Sequence, residues 1–156
     1  MWEKSTDDLD EMLENTSPDQ LNNYLKKNSK DLADDKKEFY YYFKNVLDEK
    51  NIKLKDVYSF AGLSYSHGSK LVSMEKHTKN RDDILRLCIA GHFNLTEINR
   101  ALKLYGFNEL YSRNSRDACI IVAVNQRIYD LGRIDDILDE QGLEILSKPL
   151  KETEKE

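Results

Sequence analysis

From Ser64 the sequence runs Ser-Tyr-Ser-His-Gly-Ser-Lys to Lys70, and Lys76-His77-Thr78-Lys79-Asn80-Arg81 follows a few residues later. Hydroxyls, a phenol, imidazoles, amines and a guanidinium at this density supply donors and positive charge, which suits a partner rich in acceptor oxygens. The same side chains make a poor catalytic set. Ser64, Ser66 and Ser69 lie near His67, but no strained elbow, oxyanion-donor pattern or orienting carboxylate accompanies them. No histidine among His67, His77 and His92 is followed four residues later by Cys, Asp or another His, the spacing that puts two ligands on one helix face. Cys88 and Cys119 each stand among aliphatic residues and read as buried reduced thiols. No catalytic residue, metal site or cofactor is expected; a binding protein is.

Positioning these donors is work for helices. Phe39, Tyr42, Phe43, Val46 and Leu47 follow helical spacing and define one buried face. A short helix over 54–61 stops at Gly62, Ser64 can cap a helix over 65–74, and another begins near Arg81 and buries Ile84, Leu87 and Cys88. Asn94 with Glu97 forms a capping signature, Leu95, Ile98, Leu102 and Tyr105 make the stripe, and Gly106 ends that helix. Ala118 to Val124 is rich in β-branched residues but has no strand partner elsewhere, so it reads as a buried helix capped by Asn114 or Ser115; a last helix runs from 134 to 141. Before these, Ser17-Pro18-Asp19-Gln20 opens a short helix, and Lys26 to Lys37 reads as a mobile connection. The tail Lys148 to Glu156 is too polar to fold. No internal repeat is apparent.

The totals agree with an all-α protein built on one core. Of 156 residues, 34% are charged and 39% apolar, which is polar, yet Leu, Ile and Tyr are too frequent for general disorder. Net charge is −5, unevenly spread: residues 1–52 and 115–156 are net −5 and −4, and residues 53–114 are net +4. Met1 to Glu14 has no apolar core of a signal, and the longest apolar run is far below the roughly 20 residues that cross a bilayer, so a cytoplasmic protein without membrane contact is expected.

The spacing from Val57 to Leu87, with Ala61, Gly62, Leu63 and Ser64 in the turn, Leu71 in the second helix and Ile84 in the closing one, resembles the helix-turn-helix family of phage repressor and Cro proteins, the Xre type. The resemblance extends to regulators in which Gly106-Phe107-Asn108-Glu109-Leu110-Tyr111, Arg113 and Arg116-Asp117-Ala118 follow that unit, and it covers residues 38–146. Leu54, Tyr58, Gly68 and Met74 depart from the family pattern, which has a polar residue, a small residue, an aliphatic and a glycine at those places.

The resemblance implies a lambda-repressor-like helix-turn-helix bundle with additional N-terminal and C-terminal helices. An acidic helical arm over 1–36 would precede a core over 37–146, and a charged tail over 147–156 would follow it. The implied function is a sequence-specific transcriptional regulator on double-stranded DNA. Ser64, Tyr65, Ser66, His67, Ser69 and Lys70 would read the groove, and Lys76, His77, Thr78, Lys79 and Arg81 would meet the sugar-phosphate backbone. A homodimer, or a protein partner engaged through the acidic flanks, is expected with it. The alternative is a protein adaptor of the same shape, or an antitoxin, without strong DNA binding.

Overall fold

A computed structural model describes residues 6–27 and 37–147, and among them every regular element is helical. Of the connection expected over 26–37, Lys26 and Lys27 instead end a helix, and residues 28–36, like the tail over 148–156 and the first five residues, lie outside the described residues. The chain divides into two compact units, Met1–Glu38 and Phe39–Glu156. In the first, helix α1 (Thr6–Glu14) is followed by a 3-10 turn (Pro18–Gln20) and α2 (Leu21–Lys27). The Ser17 amide donates to Gln20 Oε1 at 3.2 Å, half of the capping box read from the sequence. Only Tyr24 is buried in these helices.

The second unit holds α3 (Glu38–Lys50), α4 (Leu54–Phe60), α5 (Tyr65–Val72), α6 (Arg81–Ala90), α7 (Leu95–Tyr105), α8 (Ser115–Asn125) and α9 (Leu131–Glu140) around one apolar cluster. Phe39, Phe43, Val46 and Leu47 are the buried face of α3, with Phe39 edge-on to Tyr105 and Phe43 against Phe93. The 118–124 run is helical, as its lack of a strand partner implied. Helix α9 starts earlier than its stripe suggested, because Asp130 caps it through the Gly132 amide at 2.9 Å.

Six helices end in one way. The residue after the last turn takes a left-handed conformation, and the apolar residue after that donates its amide back across the turn: Asn51 with Ile52, Gly62 with Leu63, His92 with Phe93, Gly106 with Phe107, Arg127 with Ile128, and Gly142 with Leu143. This closure satisfies otherwise orphaned carbonyls and turns an apolar side chain back onto the cluster.

Two helix pairs share a single plan, which overturns the expectation of no internal repeat. Residues 81–110 and 116–146 each run helix, left-handed turn (His92, Arg127), capped helix (Asn94, Asp130), left-handed glycine (Gly106, Gly142) and a buried leucine (Leu110, Leu146). Leu110 N donates to Asn99 Oδ1 at 2.9 Å, and Leu146 N to Asp135 Oδ1 at 2.8 Å. Arg81 reaches the carbonyls of Asn108 and Glu109, and Arg116 those of Glu144 and Ile145. The pairs then exchange partners: Arg81 binds Asp117, and Arg116 binds Asp82 through two 2.8 Å hydrogen bonds. Helix contacts obey the same exchange, α6 lying on α9 and α8 on α7. The two halves share few residues beyond these anchoring positions.

Candidate nucleic-acid interface

Helix α5 is held by one side and open on the other. Gly68, Leu71 and Val72 are buried, whereas Tyr65 is 66% exposed and Ser66 and Lys70 face solvent. The steep turn before it depends on Gly62, at φ +75°, where a side chain would be strained. Ser64 then caps α5 by accepting the His67 amide at 3.1 Å, which leaves its hydroxyl proton free to donate outward. Helix α5 ends at Val72, short of the expected 74, because Met74 itself takes a left-handed conformation at φ +66°. Met74 is the position where the resembled family carries glycine.

Gly68 has a packing reason. A Cβ there would stand 2.5 Å from Tyr58 Cδ1 and 2.8 Å from its Cγ, so α4 and α5 approach closely only because this residue lacks a side chain. Tyr58 is buried, lies edge-on to Tyr65 with ring centroids 5.4 Å apart, and bonds to the Ser69 side chain. Burial first, and Tyr65 second, push its phenol up to about 12.

The basic turn after α5 is anchored, and two residues expected to reach the sugar-phosphate backbone, His77 and Thr78, belong to the anchor, together with Tyr105, expected in the core, and Asp83, to which the sequence assigned no role. Tyr105 Oη accepts the Thr78 amide at 3.2 Å and lies 3.4 Å from the Leu71 and Lys76 carbonyls. The His77 ring stacks on Tyr105 at 4.6 Å, with Nε2 3.2 Å from the Tyr105 carbonyl. Thr78 Oγ1 donates to Asp83 Oδ2 at 2.7 Å, and Asp83 pairs with Arg86 in a buried bridge. Burial raises the Tyr105 phenol, the Thr78 amide opposes that rise, and Asp83 adds to it.

Of the eleven candidate residues, Tyr65, Ser66, Lys70, Lys76 and Lys79 present exposed side chains, Ser64 and His67 flank them at the start of α5, and His77 and Thr78 are held by Tyr105 and Asp83. Lys70, Lys76 and Lys79 join none of the ion pairs among the described residues. Two more candidates differ. Ser69 is turned toward Tyr58, and the Arg81 guanidinium is taken up by Asp117 and two carbonyls, so it serves the exchange between the helix pairs and is not an outward cation. The signal for that role was in the sequence: Arg-Asp occurs at 81–82 and again at 116–117, each opening a helix.

The thiols and histidines separate further. Cys88 is fully buried, and burial pushes its thiol up, whereas Cys119, expected to be buried, is only partly so. Cys88 and His92 are four residues apart, but His92 lies beyond the end of α6, exposed and stacked on Tyr129 at 4.6 Å. Among the described residues no group of His, Cys, Asp and Glu is placed to hold a metal ion, and no helix is long and apolar enough to cross a membrane. Comparison with known proteins finds no matching family model, no matching curated protein and no matching solved structure.

Proposed function

We propose that the chain is a sequence-specific DNA-binding regulator in which α4, the Ala61–Ser64 link and α5 act as a helix-turn-helix of the lambda-repressor type. One observation carries the reading: α5 is anchored by Gly68, Leu71 and Val72 while Tyr65, Ser66 and Lys70 stand outward, and the anchored turn beside it adds Lys76 and Lys79. A helix presented this way can enter a major groove, where hydroxyls and amines meet base edges. The first amides of α5 and the two lysines of the turn supply phosphate contacts that fix register.

Selection of bound duplexes from a random pool, followed by salt titration, tests this. Binding should weaken steeply with salt, and Lys70→Ala or Lys76→Ala should each lower the log–log slope by about 0.9 if the lost cation met a phosphate. Arg81→Ala should lower stability and leave the slope unchanged. No selected sequence, or a flat salt response, would remove the regulator reading.

The second reading is a protein adaptor of the same shape. Phe60, 70% exposed at the end of α4, favours it, because an aromatic beside the α4–α5 link has no phosphate to meet. Salt-insensitive capture of a protein partner, lost in Phe60→Ala, would support the adaptor in its place.

A further inference from the structure

The second helix pair departs from the plan of the first by one residue. From left-handed turn to cap the first runs His92-Phe93-Asn94 and the second Arg127-Ile128-Tyr129-Asp130, and the intervals on either side match. Ile128 corresponds to Phe93, because each donates its amide back across its turn, so the added residue is Tyr129. Tyr129 is not part of the apolar cluster. Its ring stacks instead on His92 of the first pair, with centroids 4.6 Å apart and planes 11° from parallel, and neither ring makes a hydrogen bond among the described residues. The stack lines an open groove of about 530 Å3 with Phe60, 70% exposed at the end of α4, and with Ala90 and Leu131. Asp130 is the carboxylate in that lining, and no lysine or arginine belongs to it. Asp130 Oδ1 accepts the Gly132 amide and so occupies the start of α9, while the carboxylate joins none of the ion pairs among the described residues.

We infer that this groove is the docking site for an arginine-bearing segment of a partner protein. Charge and shape select this occupant together. Aromatic faces attract a cation through their negative potential, and a guanidinium can lie flat along them as an ammonium cannot. The Asp130 carboxylate supplies the opposite charge at the same place, and without a lysine or arginine in the lining that charge is uncompensated and turns anions away. Phe60 and Asp130 both face solvent, so the groove suits a chain lying across it better than a small molecule, which is ordinarily enclosed over most of its surface. The inference rests on the adaptor reading and names the chemistry of its partner; docking of α5 on DNA uses none of these residues.

Nuclear magnetic resonance titration of the full chain with an alanine pentapeptide carrying arginine at its centre tests the inference without DNA. Saturable shifts are expected at Tyr129, Asp130 and Leu131. The same peptide with citrulline, which has the shape of arginine without its charge, should bind at least about fivefold more weakly, and one with glutamate weaker still. Asp130→Asn keeps a good capping side chain and removes the charge, so it should hold its circular dichroism and weaken the arginine peptide by about threefold or more. Tyr129→Leu should do the same through loss of the aromatic face. Because a single cation is involved, salt should change binding far less than it changes docking on several phosphates. No saturable shift, or arginine and citrulline peptides of equal affinity, would overturn the inference. Binding unchanged in both Asp130→Asn and Tyr129→Leu would overturn it in favour of another surface. Should the arginine peptide fail while a protein partner is still captured through Phe60, the arginine is wrong and the adaptor reading stands; loss of both removes both.

Discussion

Replacing Gly68 with alanine sets two effects of known sign against each other. In an exposed helix the change gains about 1 kcal/mol, since glycine is the poorer helix former. Here the new Cβ would stand 2.5 Å and 2.8 Å from the inner atoms of the Tyr58 ring, well inside contact distance. Those atoms lie at the base of the ring, so a small swing of the side chain does not relieve them, and Tyr58 is buried with Tyr65 against it. Overpacking of this kind costs about 1–3 kcal/mol, and relief requires α4 and α5 to move apart. An overlap as close as 2.5 Å on atoms at the base of a ring belongs to the upper half of that range, about 2–3 kcal/mol, so packing outweighs propensity with a net loss of about 1–2 kcal/mol. In a chain of this size that lowers the melting temperature by roughly 2–8 °C. Thermal and urea unfolding followed by circular dichroism measure it. In a Tyr58→Ala background, where the ring is gone, the same substitution should become stabilising. A Gly68→Ala protein as stable as the native one, or more so, would refute the close-approach argument.

Three other outcomes are expected. Arg116→Ala should cost about 2–4 kcal/mol, because the guanidinium makes two hydrogen bonds to Asp82 and one each to the Glu144 and Ile145 carbonyls in a mostly buried setting. Denaturant titration of Arg116→Asp combined with Asp82→Arg should show only partial recovery, since aspartate cannot donate to those carbonyls. Arg127→Gly should raise stability by about 0.5–1 kcal/mol in the same assay, as removal of left-handed strain at φ +59° exceeds the added freedom of the unfolded chain. Tyr42, Tyr58 and Tyr105 are all held above the ordinary phenol value of 10.0, chiefly by burial. Above pH 10 the unfolded chain therefore binds fewer protons than the folded one, so this contribution is intact below about 10 and is lost as pH rises towards 12. Urea midpoints should fall over that window, and Tyr58→Phe should flatten the fall.

Local chemistry was enough to fix much of the helical plan. Asn94 with Glu97, Gly106, and the stripe Ile98, Leu102 and Tyr105 define α7, and the structure closes the same capping box and the same left-handed end. Gly62 and Ser64 likewise set the boundary between α4 and α5, because backbone freedom and a capping hydroxyl act within a few residues. The left-handed ends at His92 and Arg127 were hidden, since neither residue favours that conformation and each is held there by the apolar residue that follows. Tertiary structure alone decided the fate of the charges. Arg81 and Lys79 are two residues apart and look alike in a basic turn, yet Arg81 faces an aspartate 36 residues onward and Lys79 faces solvent. Charge count is a property of composition, whereas whether a cation is available depends on which distant carboxylate the fold brings within hydrogen-bonding reach.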